Sequence, residues 1–214
     1  MSLYLDSAFS DEARRAFATG LVSGITTNPV LIAQTKKQAV DVISELCDLS
    51  TGIVFHQLIG ETPAERKAEA IRMAGIRPGR VGLGIPCTYE NLSLAAELVR
   101  AGYIVGITAI FSPAQVILAC QAGVQYILPY VNRSTRLLGD GFGLVREMRS
   151  VIDAEASPTQ IIAASIKTAD EAVSTILAGA HHLTLPLKLI ESMSNHPLSD
   201  QAIAEFKSAV KQPT

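Results

Sequence analysis

Residues 80–110 read RVGLGIPCTYENLSLAAELVRAGYIVGITAI. An apolar run over 80–86 stops at Pro86, Thr88 offers a helix N-cap, and apolar residues recur at helical spacing until Gly102 supplies a stop. A second apolar run follows over 103–110. Strand, helix and strand joined by short connections predict a right-handed βαβ unit with parallel strands.

The same unit recurs along the chain. Further β-type runs fall at 3–6, 21–27, 52–58, 125–131, 160–165 and 182–186, and clear helical patterns open at Thr62-Pro63 and at Thr168. Eight runs in all point to a single closed (β/α)8 TIM barrel over residues 1–214, compact beside the roughly 250 residues usual for that fold. A doubly wound open sheet is the alternative. No GxGxxG or GxxxxGK[ST] loop follows any strand, so dinucleotide and P-loop readings find no support. The last segment, about 198–211, carries an apolar helical stripe through Ala202, Ile203, Phe206 and Val210. That helix either docks on a neighbouring subunit or covers its own barrel.

Composition sets bounds on function. The 214 residues are 48% hydrophobic and 18% charged with a formal net charge of −2, enough for a large core and without the basic footprint of a nucleic-acid binder. No basic leader with a long apolar stretch opens the chain and no run of about 18 apolar residues occurs, so a cytoplasmic location away from membranes is expected. The three cysteines, Cys47, Cys87 and Cys120, are widely spaced and form no CxxC pattern, which argues against disulfides and structural zinc. No His, Asp, Glu or Cys trio has ligand spacing at the strand ends, so neither a metal nor another cofactor is expected.

In a barrel of this type chemistry collects at the C-terminal ends of the strands. Those ends carry Asp6, Thr26-Thr27-Asn28, Gln57, Gly84, Thr108, Tyr130 with Asn132-Arg133 beyond it, and Ser165 with Lys167. Each taken alone has a structural explanation: Asp6 and Ser165 as helix caps, Thr27-Asn28 as a turn before Pro29. Together they describe a polar ring on an apolar barrel. His181 and His182 fall at the other end of the eighth strand and His196 in a polar turn, where they read as structural or exposed.

The stretches LYLD (3–6), GITTNP (24–29), FHQ (55–57), GITAIFSPAQ (106–115), YVNR (130–133), AASIKT (163–168) and LTLPL (183–187) resemble the transaldolase family, in particular its small fructose-6-phosphate aldolase branch. The resemblance implies a (β/α)8 barrel assembled as a homo-oligomer of five or ten subunits. It also implies a lysine that forms a Schiff base with a ketose or dihydroxyacetone. By the same resemblance Asp6 is an acid/base group, Gln57 and Thr108 hold a water, and Tyr130 handles a proton. Thr27 and Asn28 hydrogen-bond substrate hydroxyls, and Arg133 and Ser165 with Lys167 receive a phosphate. The implied ligand is a small sugar phosphate or hydroxyketone.

The family's lysine belongs to a stretch like V-K-V-P-x-T on the fourth strand. Here that stretch is Leu83-Gly84-Ile85-Pro86-Cys87-Thr88, which places Gly84 where the nucleophile is expected. Neither Gly84 nor its neighbours can supply an amine. Three accounts stand open: a relocated lysine, Lys167 or Lys188; altered carbon–carbon lyase or transferase chemistry run by Asp6 and Tyr130, with Cys87 or His56 as further acid/base groups; or a sugar-phosphate binder without catalysis.

Overall fold

The computed structural model describes residues 1–210. Eight parallel strands close into a barrel in the order β1-β2-β3-β4-β5-β6-β7-β8. They are β1 (Ser2–Asp6), β2 (Val22–Thr26), β3 (Val54–Gln57), β4 (Val81–Pro86), β5 (Ile104–Ile110), β6 (Tyr126–Pro129), β7 (Gln160–Ala163) and β8 (His182–Leu185). The predicted unit at 80–110 is β4, the helix Tyr89–Arg100 and β5, paired in parallel register with Gly84 opposite Gly106. The closed barrel, rather than an open doubly wound sheet, is the architecture.

Eleven helices lie among the described residues: α1 (Ser10–Ala18), α2 (Pro29–Gln34), α3 (Ala39–Leu49), α4 (Pro63–Ile76), α5 (Tyr89–Arg100), α6 (Pro113–Gln121), α7 (Val131–Leu138), α8 (Gly141–Ala154), α9 (Ala169–Leu177), α10 (Leu187–Ser192) and α11 (Pro197–Val210). The expected capping chemistry holds. Thr62 and Glu65 form a reciprocal capping box on α4, Thr88 caps α5 and Thr168 caps α9. The crossovers after β2 and β6 each hold two helices. Asn28-Pro29 starts α2, and Gly139 at φ 93 breaks α7 from α8.

Strand alternation divides the side chains between two cores. Those facing out, such as Leu83, Ile85, Val105 and Ile107, are fully buried against the helices and belong to the main apolar core. Tyr4, Phe55, Leu128 and Ile162 face in and pack with Tyr126 as a separate cluster that fills the barrel. Three glycines make room for it: a Cβ on Gly24 would come within 2.6 Å of the Tyr4 ring, one on Gly82 within 2.6 Å of Phe55, and one on Gly106 within 2.8 Å of Leu128. His182 lies beneath the cluster, its Nδ1 accepting the Ser2 N–H at 3.0 Å and its Nε2 facing Gln160 Oε1 at 2.8 Å. Burial, aided by His181 and the N-terminal ammonium, lowers its pKa to about 4, so the ring is neutral and carries its proton on Nε2. This is the structural role expected of the two histidines.

None of the residues of α11 is buried, and Ile203, Phe206 and Val210 all face solvent. The reading in which this helix covers its own barrel is thereby corrected. Position 211, at the end of the predicted helix, lies outside the described residues.

Candidate active site

A cavity of about 530 Å³ opens at the C-terminal ends of the strands. Asp6, Thr27, Asn28 and Gln57 line it from β1 to β3, Thr108 and Tyr130 from β5 and β6, and Arg133, Ser165 and Lys167 from the segments after β6 and β7. Of the residues singled out for the rim, all but Gly84 and Asn132 therefore line one cavity.

Asp6 is not a helix cap; α1 is capped at Phe9. Its Oδ1 accepts from the Thr26 hydroxyl at 3.1 Å, and Thr26 in turn meets Thr184 across β1 at 2.6 Å. Burial pushes the Asp6 pKa from 3.8 up to about 6, partly offset by the Thr26 hydrogen bond and the positive charge of Lys167. An acid in that range can both take and give a proton near neutrality. Thr26 was legible only as a rim residue; its hold on Asp6 follows from both side chains facing inward on adjacent strands.

On the opposite wall the hydroxyls of Thr108 and Tyr130 lie 2.6 Å apart. The register of β5 shifts between Thr108 and Ile110, where Ala109 sits at φ 53, so Thr108 faces the cavity while Ile110 enters the outer core. A left-handed alanine costs about 1–2 kcal/mol, strain of the kind that collects at functional sites. Ser165, at φ 59, is a second such position on the same rim, and it is not a cap either, since Thr168 caps α9.

Thr27 and Asn28 have structural duties besides lining the cavity. Thr27 Oγ1 donates to Phe55 O at 2.8 Å, and Asn28 Oδ1 accepts from the Val30 and Leu31 N–H groups at 3.1 and 3.0 Å. This leaves the Thr27 oxygen free to accept and the Asn28 amide nitrogen free to donate. Arg133 lies with its guanidinium 5.1 Å above the Tyr130 ring, a cation–π placement that orients it at the cavity mouth.

Gly84 lies between Gln57 on β3 and Gly106 on β5. Unlike the other inward glycines it is not demanded by packing. A Cβ there would meet only Gln57 Cα at 3.3 Å, His56 O at 3.5 Å and Gln57 Cβ at 3.6 Å.

Three of the sequence-based candidates are corrected. His56 faces out of the barrel, buried, with Nε2 2.8 Å from Glu69 Oε1 on α4, so it does not reach the cavity. Alternation along β3 puts His56 and Gln57 on opposite faces. Cys87 packs against the outer core, and burial raises its thiol pKa rather than lowering it. Lys188, exposed on α10, is not among the lining residues, whereas Lys167 is. Among the described residues no three His, Cys, Asp or Glu side chains form a group that could hold a metal, and no helix is long and apolar enough to cross a membrane.

A closed parallel barrel with a carboxylate, a hydroxyl pair and two cations at the C-terminal ends of its strands has the layout of a (β/α)8 barrel with its polar groups gathered at one mouth. Residues 3–213 match the Transaldolase/Fructose-6-phosphate aldolase family. A probable transaldolase of Caulobacter sp. (strain K31) is 33% identical over 206 residues, spanning 96% of this chain and 94% of the relative. Another, from Desulforamulus reducens, is 35% identical over 206 residues, spanning 96% and 95%. Among solved structures, a putative deoxyribose-phosphate aldolase from Coccidioides immitis superposes with a TM-score of 0.62 over 87% of this chain and 80% of that one, at 15% identity. The chain belongs to the transaldolase/fructose-6-phosphate aldolase family.

Proposed function

We propose that the rim cavity binds a small sugar phosphate or phosphorylated hydroxyketone and acts on it without a Schiff base. The observation that carries the reading is Gly84: the strand offers no amine there, while its neighbour Gln57 and the proton-handling and cationic side chains line one cavity at the same end of the barrel. The phosphate would be taken at Arg133, Ser165 and Lys167, where a guanidinium, a hydroxyl and an ammonium meet. The substrate carbonyl would then lie toward Tyr130 and Asp6.

In this reading Asp6, as the carboxylate, takes the proton of the hydroxyl β to the carbonyl. The C–C bond breaks, its electron pair passes to the enolate, and the Tyr130 hydroxyl, steadied by Thr108, holds the enolate oxygen. Protonation of the enolate carbon by the newly protonated Asp6 closes the cycle. No amine is consumed and atoms balance. The test is turnover of fructose 6-phosphate, which carries the hydroxyl β to its carbonyl that this step requires, by the purified protein, with borohydride added. Turnover with no mass adduct agrees with the reading. Phosphate binding without turnover would favour the non-catalytic binder, and Arg133→Ala should weaken that binding by about 1.5–3 kcal/mol in calorimetry.

A second reading is favoured by one observation. Lys167 lines the cavity and its charge acts on Asp6, so it is the lysine placed to serve as a relocated nucleophile. A borohydride adduct mapped to Lys167 would establish it and remove the imine-free mechanism.

The protein is further proposed to be a homo-oligomer held in part by α11, on the support of an apolar stripe none of whose residues is buried in its own chain. Sedimentation of the protein and of Phe206→Asp checks this: an unmodified chain that runs as a monomer removes the proposal.

A further inference from the structure

The cationic end of the cavity is built from two separate segments. Arg133 rides on the first turn of α7, and Ser165 with Lys167 on the loop between β7 and α9. Their spacing must be held by something, and among the described residues the Arg133 guanidinium has its stacking over Tyr130 to hold it. Glu171, in the first turn of α9, reaches both segments. Its Oε1 accepts from Asn132 Nδ2 at 2.6 Å, and its Oε2 accepts from the Lys167 backbone N–H at 2.7 Å. The Asn132 N–H donates to Ser165 O at 3.0 Å, and Arg136 Nε donates to Asn132 Oδ1 at 3.3 Å.

We propose that Glu171 is a positioning residue for the anion-binding end of the site: its carboxylate clamps Asn132 to Lys167, and so fixes the distance from Arg133 to Ser165 and Lys167. The proposal rests on the reading that a phosphate binds there. Glu171 does not line the cavity and has the wrong charge to bind a phosphate. As a mere neighbour it would repel the ligand, so neutralising it should tighten binding. As a clamp it must do the opposite, because a misplaced charge pair loses the two-sided grip that gives phosphate contacts their strength. The two roles therefore predict effects of opposite sign.

The experiment is calorimetric titration of fructose 6-phosphate and inorganic phosphate into the full-length protein, Glu171→Gln, Asn132→Asp and the double variant. In Glu171→Gln the amide NH₂ faces Asn132 Nδ2 or the Lys167 N–H, donor against donor, or Asn132 turns over to accept it and sets its own NH₂ against Arg136 Nε instead. In Asn132→Asp two carboxylates meet. Each single variant should bind both ligands roughly tenfold more weakly. In the double variant the amide on α9 donates to the carboxylate on α7, its oxygen still accepts from the Lys167 N–H, and Arg136 keeps its acceptor. Affinity should return to within about threefold of the unmodified protein. Urea denaturation of all four proteins separates this from general destabilisation: with each protein fully folded under the titration conditions, a tenfold loss of affinity reports position and not the unfolded fraction. Unchanged or tighter binding by Glu171→Gln, or a double variant no better than the weaker single one, overturns the proposal. If the unmodified protein binds neither ligand, the sugar-phosphate reading itself falls and this inference with it.

Discussion

The hydroxyls of Thr108 and Tyr130 are 2.6 Å apart and tie the end of β5 to the segment that follows β6. Each can steer the proton of the other, so Tyr130 presents a directed hydroxyl to the cavity rather than a rotating one. Tyr130→Phe should leave folding nearly intact, costing about 1 kcal/mol for the lost hydrogen bond, while lowering turnover of a sugar-phosphate substrate on the order of 100-fold. A comparison of kcat for the two proteins checks this, and an equal kcat would remove Tyr130 from the chemistry.

Asp6 makes stability depend on pH in a definite direction. Its folded pKa, about 6, lies above the ordinary 3.8, so between these values the folded protein holds more protons than the unfolded chain. Stability therefore falls as pH rises through this window, and at pH 8 the buried carboxylate costs up to about 3 kcal/mol. Asp6→Asn, which keeps an acceptor for Thr26, should raise the urea midpoint at pH 8, and the gain should vanish below about pH 4. A gain that is the same at both pH values would show that Asp6 does not titrate in this way.

The inward glycines separate into two kinds by a simple substitution. Gly82→Ala drives a methyl to within 2.6 Å of the Phe55 ring and should cost about 1–3 kcal/mol by overpacking. Gly84→Ala meets only near-ordinary contacts and should stay within about 1 kcal/mol of the parent. Gly84→Lys goes further: from its place beside Gln57, which lines the cavity, the new amine should trap dihydroxyacetone as a borohydride-reducible adduct, seen by mass spectrometry. Its yield will rise with pH if the amine keeps an ordinary pKa. Absence of an adduct at pH 9 would mean that position 84 does not face the bound carbonyl.

Behind Gln57, Glu69 satisfies three donors at once: His56 Nε2 at 2.8 Å and the Ile59 and Gly60 N–H groups at 2.9 Å. Burial opposes its charge, but these hydrogen bonds hold its pKa below the ordinary value. Glu69→Ala leaves all three without their acceptor and should cost about 3 kcal/mol or more in equilibrium denaturation. A loss under about 1 kcal/mol would mean that the loop after β3 rearranges to satisfy them another way.

The barrel was legible because its signals are local: apolar runs of strand length, Thr caps and glycine stops, each decided within a dozen residues. The rim was legible for the same reason, since the last residue of a parallel strand faces the C-terminal mouth whichever strand it belongs to. What could not be read was which neighbours each polar group meets. His56 and Gln57 are adjacent in sequence, yet one is buried against α4 and the other faces the cavity. Nothing in the sequence ties Glu171 to Asn132, 39 positions away; that bond exists only once β6 and β7 are paired. Cys87 stands just past the end of β4, but it packs against the outer core, and burial there raises its thiol pKa.

The stack of Tyr4, Phe55, Leu128 and Ile162, with His182 beneath, closes the barrel below the cavity. The cavity therefore has the C-terminal mouth, which Arg133 and Lys167 help to line, as its way in and out. If the proposed cleavage takes place there, departure would be sequential, the fragment nearer the mouth leaving before the inner one. The inner fragment then waits where a second acceptor can reach it, which is the situation that separates transfer of a carbon unit from its simple release.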